Sequence, residues 1–263
     1  MTDCLTMAID HGVATLTIAT PEVRNAITMP VAEAMADRCR DIADDPTIGA
    51  VVVRGAEGTF CSGADRAVLA RVSEDPLSTP MYRDLQTIYD TFIQVGQLPV
   101  PTIAAVRGSV VGAGVNLMLA TDLRIVSTTA VIDSGFGRLG FHPGGGHFLL
   151  ASQAMGREAT AAMSLFGQPI DGRRAAEVGL AWEALDDEEV ESRAQTIAQT
   201  AGRDPELSRH AVASMRREIG PPALSWSAAL EVERAPQLWS FARKAQRLRH
   251  PPVHPHDATF TQL

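Results

Sequence analysis

The sequence predicts an α/β fold with a parallel sheet, and three observations support this prediction. Two short apolar segments, residues 50–53 and 102–106, have the small and β-branched residues of buried strands. A stretch with helical spacing of apolar residues lies between them, at 81–95. Each apolar segment leads into a run of small residues, at 60–65 and 108–114. Because strands that alternate with helices pair in parallel, we expect one sheet with helices packed against it.

The elements of the first half follow from periodicity and turn residues. Alternating apolar residues around a His-Gly pair predict a β-hairpin. Thr28 followed by Pro30 is typical of a helix start. A polar stretch with two prolines, at 73–80, predicts a mobile loop. The remaining predicted elements are strands at 5–9, 13–18, 50–54, 102–106, 123–126 and 130–132, and helices at 81–95 and 115–120.

The second half becomes mostly helical after a glycine-rich segment at 135–146. We divide the chain into a sheet-based core at 1–200, a helical cap at 201–250 and a tail at 251–263. The closely spaced prolines of the tail oppose regular structure, so the tail is predicted to be flexible. The predicted helices cover 157–166, 171–178, 188–201, 205–219 and 223–249, the last interrupted at Pro236.

The composition fits a globular enzyme and argues against several other classes. Of 263 residues, 45% are hydrophobic and 21% are charged, as in folded domains. The net charge of −8, without a long basic run, argues against a nucleic-acid partner. No apolar run approaches the length of about 20 residues that spans a bilayer, so we expect no membrane partner. The beginning of the sequence lacks the blocks of a signal peptide, and three unpatterned cysteines suit a reducing compartment without a metal site. We therefore predict a cytoplasmic protein.

The two runs of small residues are candidates for a ligand site. Small residues let a ligand approach the backbone closely. The second run opens a predicted helix, whose first N–H groups have no partner inside the helix. Two loops that offer such N–H groups could hold one oxyanion between them, as a thioester carbonyl requires when it becomes an enolate. Each run alone is also compatible with close packing at a strand-to-helix junction.

Together and in this order, the motifs resemble those of the crotonase superfamily, also called the enoyl-CoA hydratase/isomerase family. The resemblance spans roughly residues 5–250 and includes an early turn, Pro-Glu-Val-Arg-Asn-Ala, similar to the CoA-contacting turn of the family. It implies a ββα spiral core, a C-terminal helical trimerisation region and an acyl-CoA substrate, with coenzyme A as part of the substrate and no separate cofactor. The motifs that carry it are Phe-Cys-Ser-Gly-Ala-Asp at 60–65, Ala-Ala-Val-Arg-Gly at 104–108 and Ala-Thr-Asp-Leu-Arg-Ile at 120–125.

The resemblance also implies site residues. The backbone N–H groups of Ser62 and Ala113 would form the oxyanion hole, with Ala113 where the family usually has glycine. Arg24 or Arg66 would meet the CoA phosphates, which an acidic chain must bind through a local basic patch. Asp65 can instead hold its loop through hydrogen bonds to its own backbone. The expected CoA-binding set is Arg24, Ala26, Ser62, Ala64, Asp65 and Arg66.

The sequence departs from the family at the two positions that matter most for hydration. A hydratase of this family uses two glutamates to position and activate one water. The matching positions are Asn116, three residues after the second oxyanion donor, and Phe136, fourteen residues after Asp122. Asn cannot exchange a proton near neutral pH, and Phe has no polar group. We therefore expect weak hydration. Phe136 argues equally against an isomerase that keeps only the second of the two glutamates.

Three ionisable residues in or beside the glycine-rich segment could replace the glutamates. His142, in a predicted loop before Pro143, is a candidate base, because a histidine titrates near neutral pH. Asp133 is a second candidate. Each could equally be structural, His142 as a surface or capping residue and Asp133 as a turn residue. His147 opens a predicted helix and is expected to contact helix backbone or solvent.

The expected function is that of an acyl-CoA-binding family member whose oxyanion hole stabilises a thioester enolate, a lyase or isomerase of open reaction. The alternative is a non-catalytic acyl-CoA-binding or partner-binding subunit, and a hydrolase or lyase acting on a β-diketone is more distant. We also expect a homotrimer or a dimer of trimers. The helical cap offers more large apolar side chains than one cap needs, namely Trp226, Leu230, Leu238, Trp239 and Phe241.

Overall fold

The computed structural model describes residues 4–219 and 225–249, and its strands and helices alternate as predicted. The strands are β1 (Leu5–Asp10), β2 (Val13–Ile18), β3 (Ala50–Gly55), β4 (Thr102–Val106), β5 (Ser109–Val111), β6 (Leu123–Ser127), β7 (Val131–Asp133), β8 (Ile170–Asp171) and β9 (Glu183–Leu185). The helices are α1 (Met29–Asp44), α2 (Arg66–Glu74), α3 (Thr79–Gln97), α4 (Ala113–Ala120), α5 (Phe136–Leu139), α6 (His147–Ser164), α7 (Gly172–Glu177), α8 (Val190–Gly202), α9 (Pro205–Ile219) and α10 (Trp226–Arg249).

The main sheet has six strands in the order β1-β2-β3-β4-β6-β9. Its first pair, β1 and β2, is the predicted antiparallel hairpin, and every later pair is parallel. A second, three-stranded sheet has the order β5-β7-β8, with β5 and β7 parallel. The α/β class with a parallel sheet is therefore confirmed.

The strands β3 and β4 lie at the centre of the main sheet and are buried on both faces. Alternate residues of a strand point to opposite faces. On one face, Val51 and Val53 of β3 join the main core, together with Ala104 of β4. On the other face, Val52 and Ile103 join a second cluster. Burial on both sides explains why these strands are continuous apolar runs in the sequence.

Helix α8 covers the second face of the main sheet. Its buried residues Val190, Ala194 and Ala198 follow each other at four-residue intervals, so they lie on one side of the helix. They form one cluster with Val52 and Ile103 of the sheet. The small alanines let the helix backbone approach the strands closely.

The segment between β3 and α3 differs from the prediction. The predicted loop at 73–80 is wrong, because α2 continues to Glu74 and α3 already begins at Thr79. Asp65 caps α2 by accepting hydrogen bonds from the N–H groups of Ala67 and Val68. Pro80 lies in the first turn of α3, where proline is tolerated because the N–H groups there have no helical partner.

Two helices of the second half differ from the prediction. Helix α6 begins at His147 rather than at 157, and a kink at Gly156, whose φ is +73°, divides it. Helix α10 continues from Trp226 to Arg249 without the predicted interruption at position 236. The predicted tail at 251–263 lies outside the described residues.

Helix α10 packs onto the core of its own chain. Leu230, Leu238 and Phe241 are buried, and the Phe241 ring lies 4.4 Å from that of Phe141. Trp226 is half-buried, whereas Trp239 is 58% exposed. Most of the apolar side chains that suggested a trimer are therefore buried within their own chain. The boundary at residue 200 between a core and a helical cap remains a prediction.

No helix in the described ranges combines the length and the apolar character that crossing a bilayer requires.

Candidate functional site

The two runs of small residues lie side by side, as the sequence predicted. Cys61 pairs with β5, since its N–H donates to Ser109 (3.3 Å) and its carbonyl accepts from Val111 (3.1 Å). Gly63 has a φ of +98°, and a Cβ at this position would lie 2.7 Å from the Val111 carbonyl oxygen. The same point is 3.6 Å from the backbone nitrogen of Ala113. Only glycine fits at residue 63, and it brings the first loop against the start of α4.

The Ser62 amide does not face this junction. Its N–H donates to the Arg24 carbonyl at 3.1 Å, and its hydroxyl donates to the Val23 carbonyl at 3.1 Å. An amide whose hydrogen is already bonded to a carbonyl is not available to an oxyanion. Ser62 as an oxyanion donor is therefore contradicted, and Ser62 instead fastens the loop to the turn at Arg24.

Ala64 has the orientation that Ser62 lacks. Ile27 donates to the Gly63 carbonyl at 2.8 Å and accepts from Asp65 at 3.1 Å, which forms a parallel bridge opposite Ala64. In such a bridge the N–H of Ala64 points away from Ile27, toward the other neighbour of this segment. Within the described part of the chain, this N–H has no acceptor.

Ala113 supplies a second amide of this kind. It is the first residue of α4, so its N–H has no partner inside the helix. The preceding Gly112 donates its own N–H to the Asp133 carbonyl at 3.1 Å, which fixes the entry of the chain into the helix. The alanine at this position has not displaced the helix start. Ala64 and Ala113 are thus the two half-buried amides that the junction presents.

Asn116 lies one helical turn after Ala113, and both the nitrogen and the oxygen of its side-chain amide are hydrogen-bonded. It is 1% exposed, and its Nδ2 donates to the Gly144 carbonyl at 2.9 Å. Its Oδ1 lies 2.8 Å from Nδ1 of His147. Because a backbone carbonyl can only accept, the amide orientation is fixed, and Nδ1 of His147 must carry the hydrogen.

His147 is completely buried, which contradicts the expected contact with helix backbone or solvent. Burial lowers the pKa of the His147 imidazole from its usual value to about 4. The ring is therefore neutral at pH 7, with its hydrogen on Nδ1. Nε2 lies 2.9 Å from the Ser164 hydroxyl and accepts from it. Asn116, His147 and Ser164 form one buried, uncharged hydrogen-bonded chain.

Phe136, the second expected catalytic position, meets the same imidazole. The ring centroids of Phe136 and His147 are 5.2 Å apart with an edge-on geometry. A Cβ on Gly112, at the entry to α4, would lie 4.0 Å from the Phe136 ring. Asn116 and Phe136, the two positions that the resemblance assigns to glutamates, therefore both contact one neutral histidine, and neither carries a carboxylate.

The two candidate bases are engaged in other contacts. Asp133 is buried, pairs with the Arg138 guanidinium, and accepts from the Gly135 N–H at 2.8 Å. This is the turn role that the sequence left open for it. His142 is half-buried, and its Nδ1 donates to the Pro143 carbonyl at 2.6 Å. Neither contact points to a proton-transfer role.

The expected CoA-binding residues have mixed positions. Arg24 and Arg66 are exposed, and no ion pair involves either side chain within the described ranges. Ala26 is buried, and Asp65 caps α2 as described above. The two arginines are therefore the members of the set that are available to a phosphate.

Asn25 is a structural residue of the site that the sequence reasoning missed. It is fully buried with a φ of +54°, and its Oδ1 accepts from the Thr20 N–H at 3.0 Å. Its Nδ2 donates to the carbonyls of Ala56 (2.9 Å) and Thr59 (2.6 Å). Asn25 thereby ties the Arg24 turn to the segment before the first loop. An asparagine that follows a proline within a turn is often a residue that hydrogen-bonds nearby backbone, and this pattern could have predicted its role.

Glu233 of α10 is a second missed residue. Its carboxylate accepts from the N–H groups of Gly146 (2.7 Å), His147 (3.2 Å) and Phe148 (3.2 Å) at the start of α6. Burial raises the pKa of the Glu233 carboxyl, although these three hydrogen bonds act in the opposite direction. A charge more than eighty residues away thus caps the helix that carries His147.

Comparison with known proteins identifies the family of this fold and site. The profile of the enoyl-CoA hydratase/isomerase family matches residues 8–239, and the chain belongs to that family. A protein of Mycobacterium tuberculosis named probable enoyl-CoA hydratase EchA14 is 36% identical over 222 residues, 84% of this chain and 85% of that protein. The 1,2-epoxyphenylacetyl-CoA isomerase of Escherichia coli is 29% identical over 75% of each chain.

The solved structures agree with the family. An enoyl-CoA hydratase/isomerase from Xanthobacter autotrophicus superposes with a TM-score of 0.83 at 25% identity, covering 98% of this chain and 97% of its own. An enoyl-CoA hydratase from Bacillus halodurans has the same TM-score at 20% identity and covers 94% and 98%. The crotonase fold is therefore confirmed.

Metal binding finds no support in residues 4–219 and 225–249, where no group of three or more His, Cys, Asp or Glu side chains could hold an ion.

The neutral, buried His147 makes the protein sensitive to acid. The imidazole is protonated more easily in the unfolded chain, near pH 6.5, than in the folded one, near pH 4. The unfolded state therefore binds more protons in this window, and stability falls as pH decreases from about 6.5 to about 4. We expect a contribution of up to about 1.4 kcal/mol per pH unit.

Urea unfolding of wild type and His147→Gln between pH 4 and 7.5 measures this effect. The difference in stability between the two proteins should shrink on acidification, since only the wild type loses this contribution. A difference that is independent of pH would show that His147 is not buried as a neutral ring.

Proposed function

We propose that this protein binds acyl-CoA thioesters and holds the thioester oxygen between the backbone N–H groups of Ala64 and Ala113. The observation that carries the proposal is the junction of two loops that presents two amides without an acceptor in the described chain. Such donors stabilise the negative charge of an enolate, and one donor is worth about 10²–10³ in rate. Membership of the enoyl-CoA hydratase/isomerase family supports the thioester as ligand.

The exposed arginines Arg24 and Arg66 are proposed to contact the phosphates of CoA. The Arg24 carbonyl accepts from the Ser62 N–H, and Arg66 begins α2 directly after the first loop. Both side chains therefore start next to the oxyanion junction. A protein with a net charge of −8 repels a polyanion at long range, so local positive charge is needed here.

The reaction is proposed to differ from ordinary hydration. Neither Asn116 nor Phe136 can transfer a proton, and the neutral His147 between them has both nitrogens in hydrogen bonds. The similar proteins named above include a hydratase and an epoxide isomerase, so the family does not determine the reaction. A lyase or isomerase that relies on enolate stabilisation is the function that the site supports best.

A non-catalytic acyl-CoA-binding subunit is the second candidate. The uncharged chain of Asn116, His147 and Ser164 favours it, because no titratable group at this position is free to move a proton. A panel of acyl-CoA thioesters, assayed for turnover and for binding in parallel, separates the two. Binding without turnover of any member supports the non-catalytic function.

We propose a homotrimer or a dimer of trimers in solution, although α10 buries most of its apolar side chains in its own chain. Trp239 of α10, Trp182 and Phe166 remain 58%, 66% and 74% exposed, and large apolar side chains of this kind are typical of interfaces. Light scattering should give a mass of about three or six times 28.1 kDa at micromolar concentration. A stable monomer would refute this assembly.

A cytoplasmic location is also proposed. All three cysteines of the sequence are free thiols in the structure, as suits a reducing compartment.

Titration calorimetry with CoA and acetyl-CoA tests the binding site. We expect binding in a range of roughly micromolar to low millimolar, and a loss of about threefold to tenfold in Arg24→Ala and in Arg66→Ala, because each removes a charge-assisted contact. Arg157→Ala, at another exposed arginine on α6, is the matched control and should stay within about twofold of wild type. The absence of binding at saturating CoA would sink the proposal and favour a substrate without CoA, such as a β-diketone.

Hydration of crotonyl-CoA tests the reaction. We expect a rate at least about a hundredfold below that of a family member with both glutamates, because acid–base assistance of about 10²–10⁴ is missing. The two enzymes are compared at equal concentration by the loss of the enoyl absorbance. A rate close to that of the two-glutamate enzyme would mean that another group of this chain activates water.

A further inference from the structure

We infer that the His147 side chain closes the acyl site beyond the α-carbon, so that the site takes short acyl thioesters of about two carbons. This inference rests on the proposed function, because it assumes that a thioester oxygen binds at Ala64 and Ala113. It names the ligand class of that site and the residue that sets it. It also favours enolate formation at the α-carbon over isomerisation, because a two-carbon acyl group has no β-carbon.

The direction of the acyl chain follows from helix geometry. Asn116 is three residues after Ala113 in α4, and residues at this spacing lie on the same helix face with Cβ atoms about 5–6 Å apart. Phe136 lies against the entry to the same helix. An acyl group whose oxygen is at Ala113 therefore extends its next carbons toward the space between Asn116 and Phe136.

The imidazole of His147 occupies that space. Its Nδ1 is 2.8 Å from the Asn116 oxygen, and its ring centroid is 5.2 Å from that of Phe136. His147 is 0% exposed and Asn116 is 1% exposed, so no room for a water molecule is left around them.

The imidazole is fixed in place from three sides. Both ring nitrogens are hydrogen-bonded, to Asn116 and to Ser164, and the backbone N–H donates to Glu233. Moving the ring out would leave buried polar groups without partners, which is costly.

A closed and an open acyl site give opposite orders of affinity. In an open apolar site, each additional methylene that is buried improves binding by about fourfold. In the closed site, methylenes beyond the α-carbon must displace the imidazole and therefore weaken binding. We expect wild-type protein to bind acetyl-CoA at least about tenfold more tightly than butyryl-CoA.

The experiment measures dissociation constants of free CoA, acetyl-CoA, butyryl-CoA and octanoyl-CoA for wild type, His147→Gly and His11→Gly. His11→Gly is the matched control, since this exposed histidine lies in the β1–β2 turn with a φ of +49°, which glycine adopts readily. In His147→Gly, butyryl-CoA should gain at least about tenfold, while free CoA stays within about twofold. The control should keep the wild-type order.

Free imidazole provides a readout that a merely structural role of His147 would not give. At millimolar concentration it should refill the cavity of His147→Gly and compete with butyryl-CoA, but not with acetyl-CoA. Equal affinity of wild type for acetyl-CoA and butyryl-CoA would overturn the inference, even if His147→Gly fails to fold. An unchanged order of affinities in folded His147→Gly would also overturn it. If free CoA and acetyl-CoA both fail to bind, the proposed function falls and the inference with it.

Discussion

The pairing of Cys61 with β5 is the interaction on which the rest of the site depends. It joins a loop after β3 to a strand after β4, so it determines how the two runs of small residues face each other. Glycines at 63 and 114 make this approach possible, because a Cβ at either position would meet backbone atoms of the opposite loop. Ser62, Asn25 and Asp65 then fasten the first loop to its surroundings. The junction of the two loops is thus a product of backbone contacts, which leave no space for a side chain at residues 63 and 114.

The sequence predicted the central sheet well because its strands are buried on both faces. Strand β4 has the predicted bounds. Its five residues are all buried, and apart from the initial threonine they are apolar, which is the pattern of a strand covered on both faces. Helix α2 was missed because its N-cap, Asp65, lies inside the motif at 60–65 and its last residues lie in the stretch that was predicted as a loop. Asp65 was predicted both as a CoA-binding residue and as a residue that bonds its own backbone, and it is in the second role that it caps α2.

The sequence predicted that the two runs of small residues would meet, but it predicted neither which amides are free nor the contacts in the interior of this candidate site. Which amide of the first loop is free depends on the pairing of Ile27 with the residues around Ala64, a contact between segments that no local pattern reveals. The chain of Asn116, His147 and Ser164 is likewise formed by residues up to 31 positions apart. A histidine at a helix start reads as a surface residue unless the helix start is known to be buried. The two missing glutamates were visible in the sequence, whereas the imidazole between their positions was not.

The capping of α6 by Glu233 has a consequence for the order in which the molecule matures. During synthesis the N-terminal parts of a chain emerge first, and the segment that carries the loops, Asn116 and His147 is complete well before Glu233 leaves the ribosome. Until then the first N–H groups of α6 lack their acceptor, since it is supplied from 85 to 87 residues further along the chain. The sheet can form from local crossovers, whereas the start of α6 gains its cap only after Glu233 has been synthesised and has docked.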